Sequence, residues 1–153
     1  MFAALLVVHS WLRWLVLLAA FNAVGRAIGG VQSGRPWASS DDHAGKWLVI
    51  LFDVQLLVGL IIYAALSPTT QAALADFGAA MKDSQLRFFA VEHLVGMVAA
   101  AALIHIGRKK SGSVTAGSRH KVALIFFALA IVIMLLSIPW PFGPAPRGLF
   151  RLS

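Results

Sequence analysis

Four long apolar segments, separated by shorter polar stretches, dominate the hydropathy pattern of this chain. They cover approximately residues 2–24, 47–66, 88–106 and 122–138. A bilayer core of about 30 Å is crossed by about 20 apolar residues of helix. Each segment is close to that length. The pattern therefore predicts one all-α domain over residues 1–153, a transmembrane four-helix bundle with up-down-up-down topology.

Composition supports a chain that faces lipid. Hydrophobic residues make up 59% of the sequence and charged residues 12%, whereas soluble domains have about 45–50% apolar and about 25% charged residues. The mean hydropathy is +0.83. The chain has no cysteine, which excludes disulfides, iron–sulfur clusters, cysteine-based zinc sites and covalent haem attachment.

Basic residues are distributed unequally between the two sides of the predicted bundle. One side carries Arg26, Arg35, Lys46, Arg108, Lys109, Lys110, Arg119 and Lys121, and the other carries Lys82, Arg87, Arg147 and Arg151. The side richer in Lys and Arg is expected in the cytoplasm. This predicts a multi-pass protein of a bacterial inner membrane with both termini periplasmic. The same topology accounts for the net charge of +7, so no nucleic-acid partner is expected.

The start of the chain is expected to remain as the first helix. Its apolar run is preceded by no positively charged segment and followed by no nearby small-residue cleavage site. Both are features of a secretory signal peptide.

Two histidines lie at nearly the same depth from the predicted outer face, His9 in the first span and His93 in the third. In the predicted bundle these helices lie diagonally opposite. Neighbouring axes about 8–10 Å apart give a diagonal of about 12–14 Å. That space suits a planar cofactor held from both sides by imidazole. The pair predicts one non-covalent haem b with both histidines on the iron; the alternative is a structural or proton-handling role.

Two glycines fall near the predicted histidine level. Gly96 shares a helical face with His93, and Gly59 lies at a similar depth in the second span. A glycine allows the edge of a macrocycle to approach the backbone, so both are candidate cofactor-binding residues. Small residues also serve ordinary packing of membrane helices, and this alternative stays open.

Arginines near the outer face are candidate partners of the cofactor. Arg13 follows His9 by one helical turn, so it suits a haem propionate or a quinone oxygen. Its alternative is an ion pair with Glu92 or Asp53. Arg87 lies nearer the outer surface, where a propionate would also emerge. Its alternative is to extend toward the headgroups.

Three motifs give the chain a family resemblance. Residues 9–14 (HSWLRW), 87–93 (RFFAVEH) and 138–141 (IPWP) resemble those of small four-span bacterial membrane proteins labelled cytochrome B, notably from Bacteroidetes-like lineages. The resemblance extends over nearly the whole chain. It implies a b-type cytochrome in which His9 and His93 match the two intramembrane histidines of the family.

The expected function is transfer of single electrons through one bis-histidine haem near the outer face, in exchange with quinol or a larger respiratory complex. Two imidazole ligands leave iron no open position, so no catalytic activity of the chain alone is expected. The alternatives are a haem-free accessory subunit of a respiratory or photosynthetic complex, and a proton relay or transport protein. A second haem at His105 and His120 and a homo-oligomer both remain open.

Overall fold

The computed structural model describes residues 1–150, which are mainly helical. Arg151, one of the basic residues assigned to the outer side, lies outside the described residues. The helices are α1 (Phe2–Ser33), α2 (Ser39–Ile61), α3 (Pro68–Ala75), α4 (Phe77–Ala80), α5 (Ser84–Arg87), α6 (His93–Ser113) and α7 (Arg119–Ser137). A π-helical turn extends α2 (Ile62–Leu66), and another precedes α6 (Phe88–Glu92).

Four helical stretches are long and apolar enough to cross a membrane. They are Phe2–Ser33, Ser39–Leu66, Ser84–Ser113 and Ala116–Ser137. The prediction of an all-helical fold with four candidate membrane spans is therefore confirmed. The first three stretches contain the corresponding predicted apolar segments, and the fourth ends one residue before its predicted segment does.

The first helix extends well beyond its predicted apolar segment. It continues through Gly29 and Gly30 to Ser33 and ends at Gly34, whose φ of 64° lies in the left-handed region. Glycine adopts that conformation without a Cβ clash and commonly ends helices. The additional turns of α1 reach the start of α2.

The helices pack around a core of small and medium-sized side chains. α1 packs against α2 and α7, and α6 packs against the same two helices, so α1 and α6 lie across the bundle from each other. Ala20, Ala100 and Ala130 are completely buried at the contacts, beside Leu48 and Ile104. Alanines allow membrane helices to approach closely.

A buried carboxylate ties the end of α1 to the start of α2. Asp41 accepts a hydrogen bond of 2.9 Å from Arg26 Nε and two of 2.7 Å from the guanidinium of Arg35. It also accepts one from the backbone N–H of Ala38. The hydrogen bond to Asp41 raises the pKa of Arg35 above its ordinary value. These contacts close the connection between the first two helices.

At the same end, the ring of His120 on α7 lies directly against the backbone of α1. A Cβ at Gly30 would overlap this ring. The other face of the ring packs on Trp37, with 4.9 Å between ring centres. Gly30 is therefore required for the close contact between α1 and α7.

We expect Gly30→Ala to destabilise the fold by about 1–3 kcal/mol, the usual cost of overpacking a tight contact. The measurement is chemical unfolding in detergent, followed by circular dichroism. Gly29→Ala is the matched control because nothing lies within 4 Å of its added Cβ. Alanine also favours the helix over glycine by about 0.8–1 kcal/mol. Equal stability of the two variants would contradict the packing described for His120.

Candidate ligand cavity

A cavity of about 230 Å³ lies at the end of the bundle where α1 and α6 begin and α7 ends. Its walls are mostly apolar. The polar and small residues that line it include His9, Arg13, Gln55, Gly59, His93 and Arg147. Of the short helices between α2 and α6, α3 contributes Thr69 and Thr70, so this connection forms part of the cavity wall.

The two histidines singled out in the sequence face the same cavity. The ring centres of His9 and His93 are 6.3 Å apart, and their planes cross at 78°. One ring projects from α1 and the other from α6, across the bundle. The structure thus brings together two imidazoles that are 84 positions apart in the sequence (93 − 9).

The ring of His93 is held in a defined orientation. Its Nδ1 lies 2.7 Å from the backbone oxygen of Ser137, near the end of α7. A carbonyl oxygen only accepts hydrogen bonds, so Nδ1 carries the proton. In the neutral imidazole this leaves Nε2 as the free acceptor. Phe88 and Phe89 pack around the same ring, with ring centres 6.0 and 6.4 Å away.

The ring of His9 is positioned by α2. A Cβ at Gly59 would lie 2.9 Å from His9 Cε1, so only glycine leaves the ring its place. One turn earlier on α2, Gln55 Nε2 donates a hydrogen bond of 2.9 Å to the backbone oxygen of His9. Gly59 therefore lines the cavity and allows the ring of His9 to lie directly against α2.

Three buried polar atoms in the cavity wall have no hydrogen-bond partner among residues 1–150. They are Nδ1 of His9, Nε of Arg13 and Oε1 of Gln55. Most buried polar groups in folded proteins are paired, and an unpaired one costs about 1–3 kcal/mol. These three atoms are therefore available for hydrogen bonds with a group bound in the cavity.

Arg87 and Glu92 lie in another part of the structure. They flank the π-helical turn that precedes α6, in which residues five apart share a face. Arg87 Nε accordingly donates to Glu92 Oε1 at 2.8 Å, and its Nη1 donates to the Met81 carbonyl. Neither residue is part of the cavity lining. The pairing of Glu92 with Arg13 that was weighed from the sequence does not form.

Gly96 packs at a helix contact. A Cβ there would overlap the side chain of Ser137 on α7. The small residue beside His93 thus allows α6 and α7 to approach, which was the packing alternative considered for it. Gly96 is not among the residues that line the cavity.

The remaining polar candidates form separate contacts. His105 Nε2 lies 2.8 Å from Asp53 Oδ1, and both side chains are about half exposed. His120 is buried against Gly30 and Trp37. The two histidines considered for a second haem, His105 and His120, therefore contact different residues. Within residues 1–150, no group of three or more His, Cys, Asp or Glu side chains could hold a metal ion.

The segment after α7 returns across the mouth of the cavity. The backbone oxygen of Leu149 accepts hydrogen bonds from Arg13 Nη2 at 2.5 Å and from Trp14 Nε1 at 3.2 Å. Phe150 stacks on Trp14 with 5.4 Å between ring centres. Gly148 and Phe150 both line the cavity.

Arg147 is a cavity residue that sequence reasoning missed. Its guanidinium carbon lies 5.0 Å from the ring centre of Phe89. In the sequence it was assigned only to the basic residues of the outer side. The proline-rich stretch before it has no helical periodicity, so no regular spacing predicts where its side chain lies.

No protein-family model, curated protein or solved structure matches this chain. The class of this protein is therefore defined by its fold and its cavity. It is a helical protein with four candidate membrane spans and, at one end, a cavity with two histidines in its wall.

The returning segment is expected to restrict access to the cavity. The chain has no cysteine, so Ser10→Cys provides a single reporter in the cavity wall. We expect a water-soluble maleimide to label it slowly in detergent, and several-fold faster once Phe150→Ala removes the stacking on Trp14. Ser113→Cys, exposed at the end of α6, is the control and should label equally in both backgrounds. An unchanged rate at position 10 would contradict the covering role of the segment.

Proposed function

We propose that this protein is a membrane b-type cytochrome that carries single electrons through one haem held by His9 and His93. The observation that carries the proposal is the placement of these two imidazoles, 6.3 Å apart, in the wall of one cavity. Each comes from a different helix, and neither is paired with a carboxylate among the described residues.

The spacing of the two rings fits a metal between them. Bonds from a metal to imidazole nitrogen of about 2 Å, added to roughly 1 Å from each nitrogen to its ring centre, separate two ring centres by about 6 Å. The observed separation is 6.3 Å. A porphyrin supplies the other ligands of a haem iron, so two side chains are enough, although no larger cluster of ligating residues exists in residues 1–150.

The contact between His93 and Ser137 supports the same assignment. Histidines that ligate metals commonly donate their other ring N–H to a carboxylate or a backbone carbonyl, which fixes the tautomer and the ring orientation. His93 makes this contact through Nδ1 at 2.7 Å. The arrangement leaves Nε2 as the ligating atom.

A haem bound here supplies reversible one-electron chemistry. The chain's contribution is to position and shield it. His9 and His93 would hold the iron of such a haem between two helices, which would leave no ligand position for a substrate. The largely apolar wall keeps water away, and the cation of Arg13 at the cavity favours the reduced state.

In the proposed membrane orientation, the cavity lies at the outer, periplasmic side of a bacterial inner membrane. The bundle has up-down-up-down topology with both termini on that side. The basic residues near the ends of α1 and α6, including Arg26 and Arg108, face the cytoplasm, as the distribution of positive charge favours. Electrons are exchanged with quinol or with a larger respiratory complex, in line with the resemblance to the cytochrome B proteins.

A second candidate function is that of a haem-free accessory subunit of a larger membrane complex. It is favoured by Asp53 and His105, a polar pair about half exposed within candidate membrane spans. Polar side chains are costly against lipid, so a partner subunit covering them would lower that cost. In this case His9 and His93 form an edge-to-face contact, for which 6.3 Å is also an ordinary separation.

The deciding experiment is the reduced-minus-oxidised visible spectrum of protein produced with ample haem and purified in detergent. We expect a low-spin b-type α-band in the wild type. His9→Ala and His93→Ala should each lose it or convert it to high spin, because each removes one axial ligand. His105→Ala is the matched control, since His105 pairs with Asp53 away from the cavity, and should keep the spectrum.

A colourless wild type would contradict the cytochrome and favour the accessory subunit. A low-spin spectrum that persists in both cavity variants would show that other residues hold the haem, and it would overturn His9 and His93 as its ligands. Loss of the α-band in His105→Ala to the same extent would also overturn the assignment of His9 and His93 as the ligands.

A further inference from the structure

We propose that Arg13 and Arg147 form a carboxylate-binding pair at the mouth of the cavity, which holds the two propionates of the haem. This inference rests on the proposed function and specifies how the same site recognises its ligand. Arg147 is brought to the site by the segment that folds back after α7.

The arginines of the described chain fall into distinct groups by their partners. Four of them pair with Asp or Glu side chains: Arg26, Arg35, Arg87 and Arg108. Arg119, at the start of α7, donates to the backbone oxygen of Ser111 and lies over the ring of Trp37. Arg13 and Arg147 have no carboxylate partner among residues 1–150, and both line the cavity. The ion pairs therefore leave the cavity with two uncompensated cations.

Both guanidinium groups keep donors free for a ligand. Arg13 uses Nη2 for the carbonyl of Leu149, while its Nε is buried with no acceptor. Arg147 lies over the face of the Phe89 ring, and this contact uses none of its guanidinium N–H groups as a hydrogen-bond donor. An unpaired cation in mostly apolar surroundings is costly, so a bound anion at this position would be stabilised.

The chemistry of the pair selects the anion. A planar guanidinium matches a carboxylate through two parallel hydrogen bonds. A haem carries two propionate carboxylates on one edge, and the cavity that contains both histidines also contains two such cations. The charges of site and ligand then balance, whereas a neutral quinone would leave both arginines uncompensated.

The segment that carries Arg147 is fixed by its own contacts. Leu149 accepts hydrogen bonds from Arg13 and Trp14, and Phe150 packs against Trp11 and Trp14. These contacts involve residues two and three positions after Arg147, and they hold the segment against the first half of α1. Arg13 thus has two roles, since it fastens the segment and faces the ligand.

The test compares haem b with haem b dimethyl ester, which has the same ring and iron but no free carboxylates. Apo-protein in detergent is titrated with each, and the dissociation constants are read from the Soret absorbance. We expect esterification to weaken wild-type binding about tenfold or more, because hydrogen bonds to a charged group contribute about 1.5–3 kcal/mol. In the double variant R13Q/R147Q the two ligands should bind with nearly equal affinity.

If substitution of Arg13 on α1 impairs expression, the single variant Arg147→Gln still tests the proposal. It should partly reduce the preference for haem b over its dimethyl ester. Arg87→Gln is the matched control. It removes an outer-side arginine that pairs with Glu92 away from the cavity, and it should keep the wild-type preference for the free acid.

The outcomes separate the two proposals. If the wild type binds haem and its ester equally, with a low-spin spectrum from both, the arginine pair is overturned and the cytochrome stands. If the wild type binds neither, both are overturned. Loss of discrimination in Arg87→Gln equal to that in R147Q would also contradict the assignment of Arg147.

Discussion

The need to pair every polar atom inside an apolar bundle is the constraint on which this structure depends. A membrane interior supplies no water, so partners must come from the chain itself. The helix backbones satisfy their own groups, and several side chains find carbonyls on neighbouring helices, as Gln55 does at His9 and Tyr63 at Ala90. Around the cavity this pairing is incomplete, with unpaired atoms on His9, Arg13 and Gln55. The cavity wall therefore keeps donors and acceptors that the described residues do not satisfy, and at the opposite end Trp37 Nε1 and both ring nitrogens of His120 are likewise buried without a hydrogen-bond partner.

Much of the fold follows from the length of apolar runs, because a helix that crosses a bilayer has few alternatives in the sequence. The matched depths of His9 and His93 could also be counted along the chain, since rise per residue is nearly constant in a helix. Side-chain direction could not be predicted in the same way. The π-helical turn at Phe88–Glu92 changes which residues share a face, and so Glu92 meets Arg87 rather than Arg13. Arg147 lies in a proline-rich segment without periodicity, where the sequence gives no direction at all.

The two ends of the bundle differ in how firmly they are fixed. At the end opposite the cavity, Asp41 gathers two arginines, and His120 fills the space that the missing Cβ of Gly30 leaves. Changes there act on stability. At the cavity end, the covering segment is held mainly by two hydrogen bonds to Leu149 and by aromatic contacts of Phe150. The closely packed contacts and the covering segment thus lie at opposite ends of one small domain.

The π-helical turn before His93 sets the rotational phase of α6. This turn contains one residue more than an α-helical turn. The additional residue rotates the side chains that follow by about 100° relative to an uninterrupted helix of 3.6 residues per turn. In that phase the imidazole of His93 reaches the carbonyl of Ser137. Loss of a single residue anywhere within Phe88–Glu92 would therefore turn another side chain toward α7 while leaving every remaining amino acid unchanged. For this protein, the number of residues in that turn therefore determines which side chain of α6 faces α7, in addition to the identity of the residues.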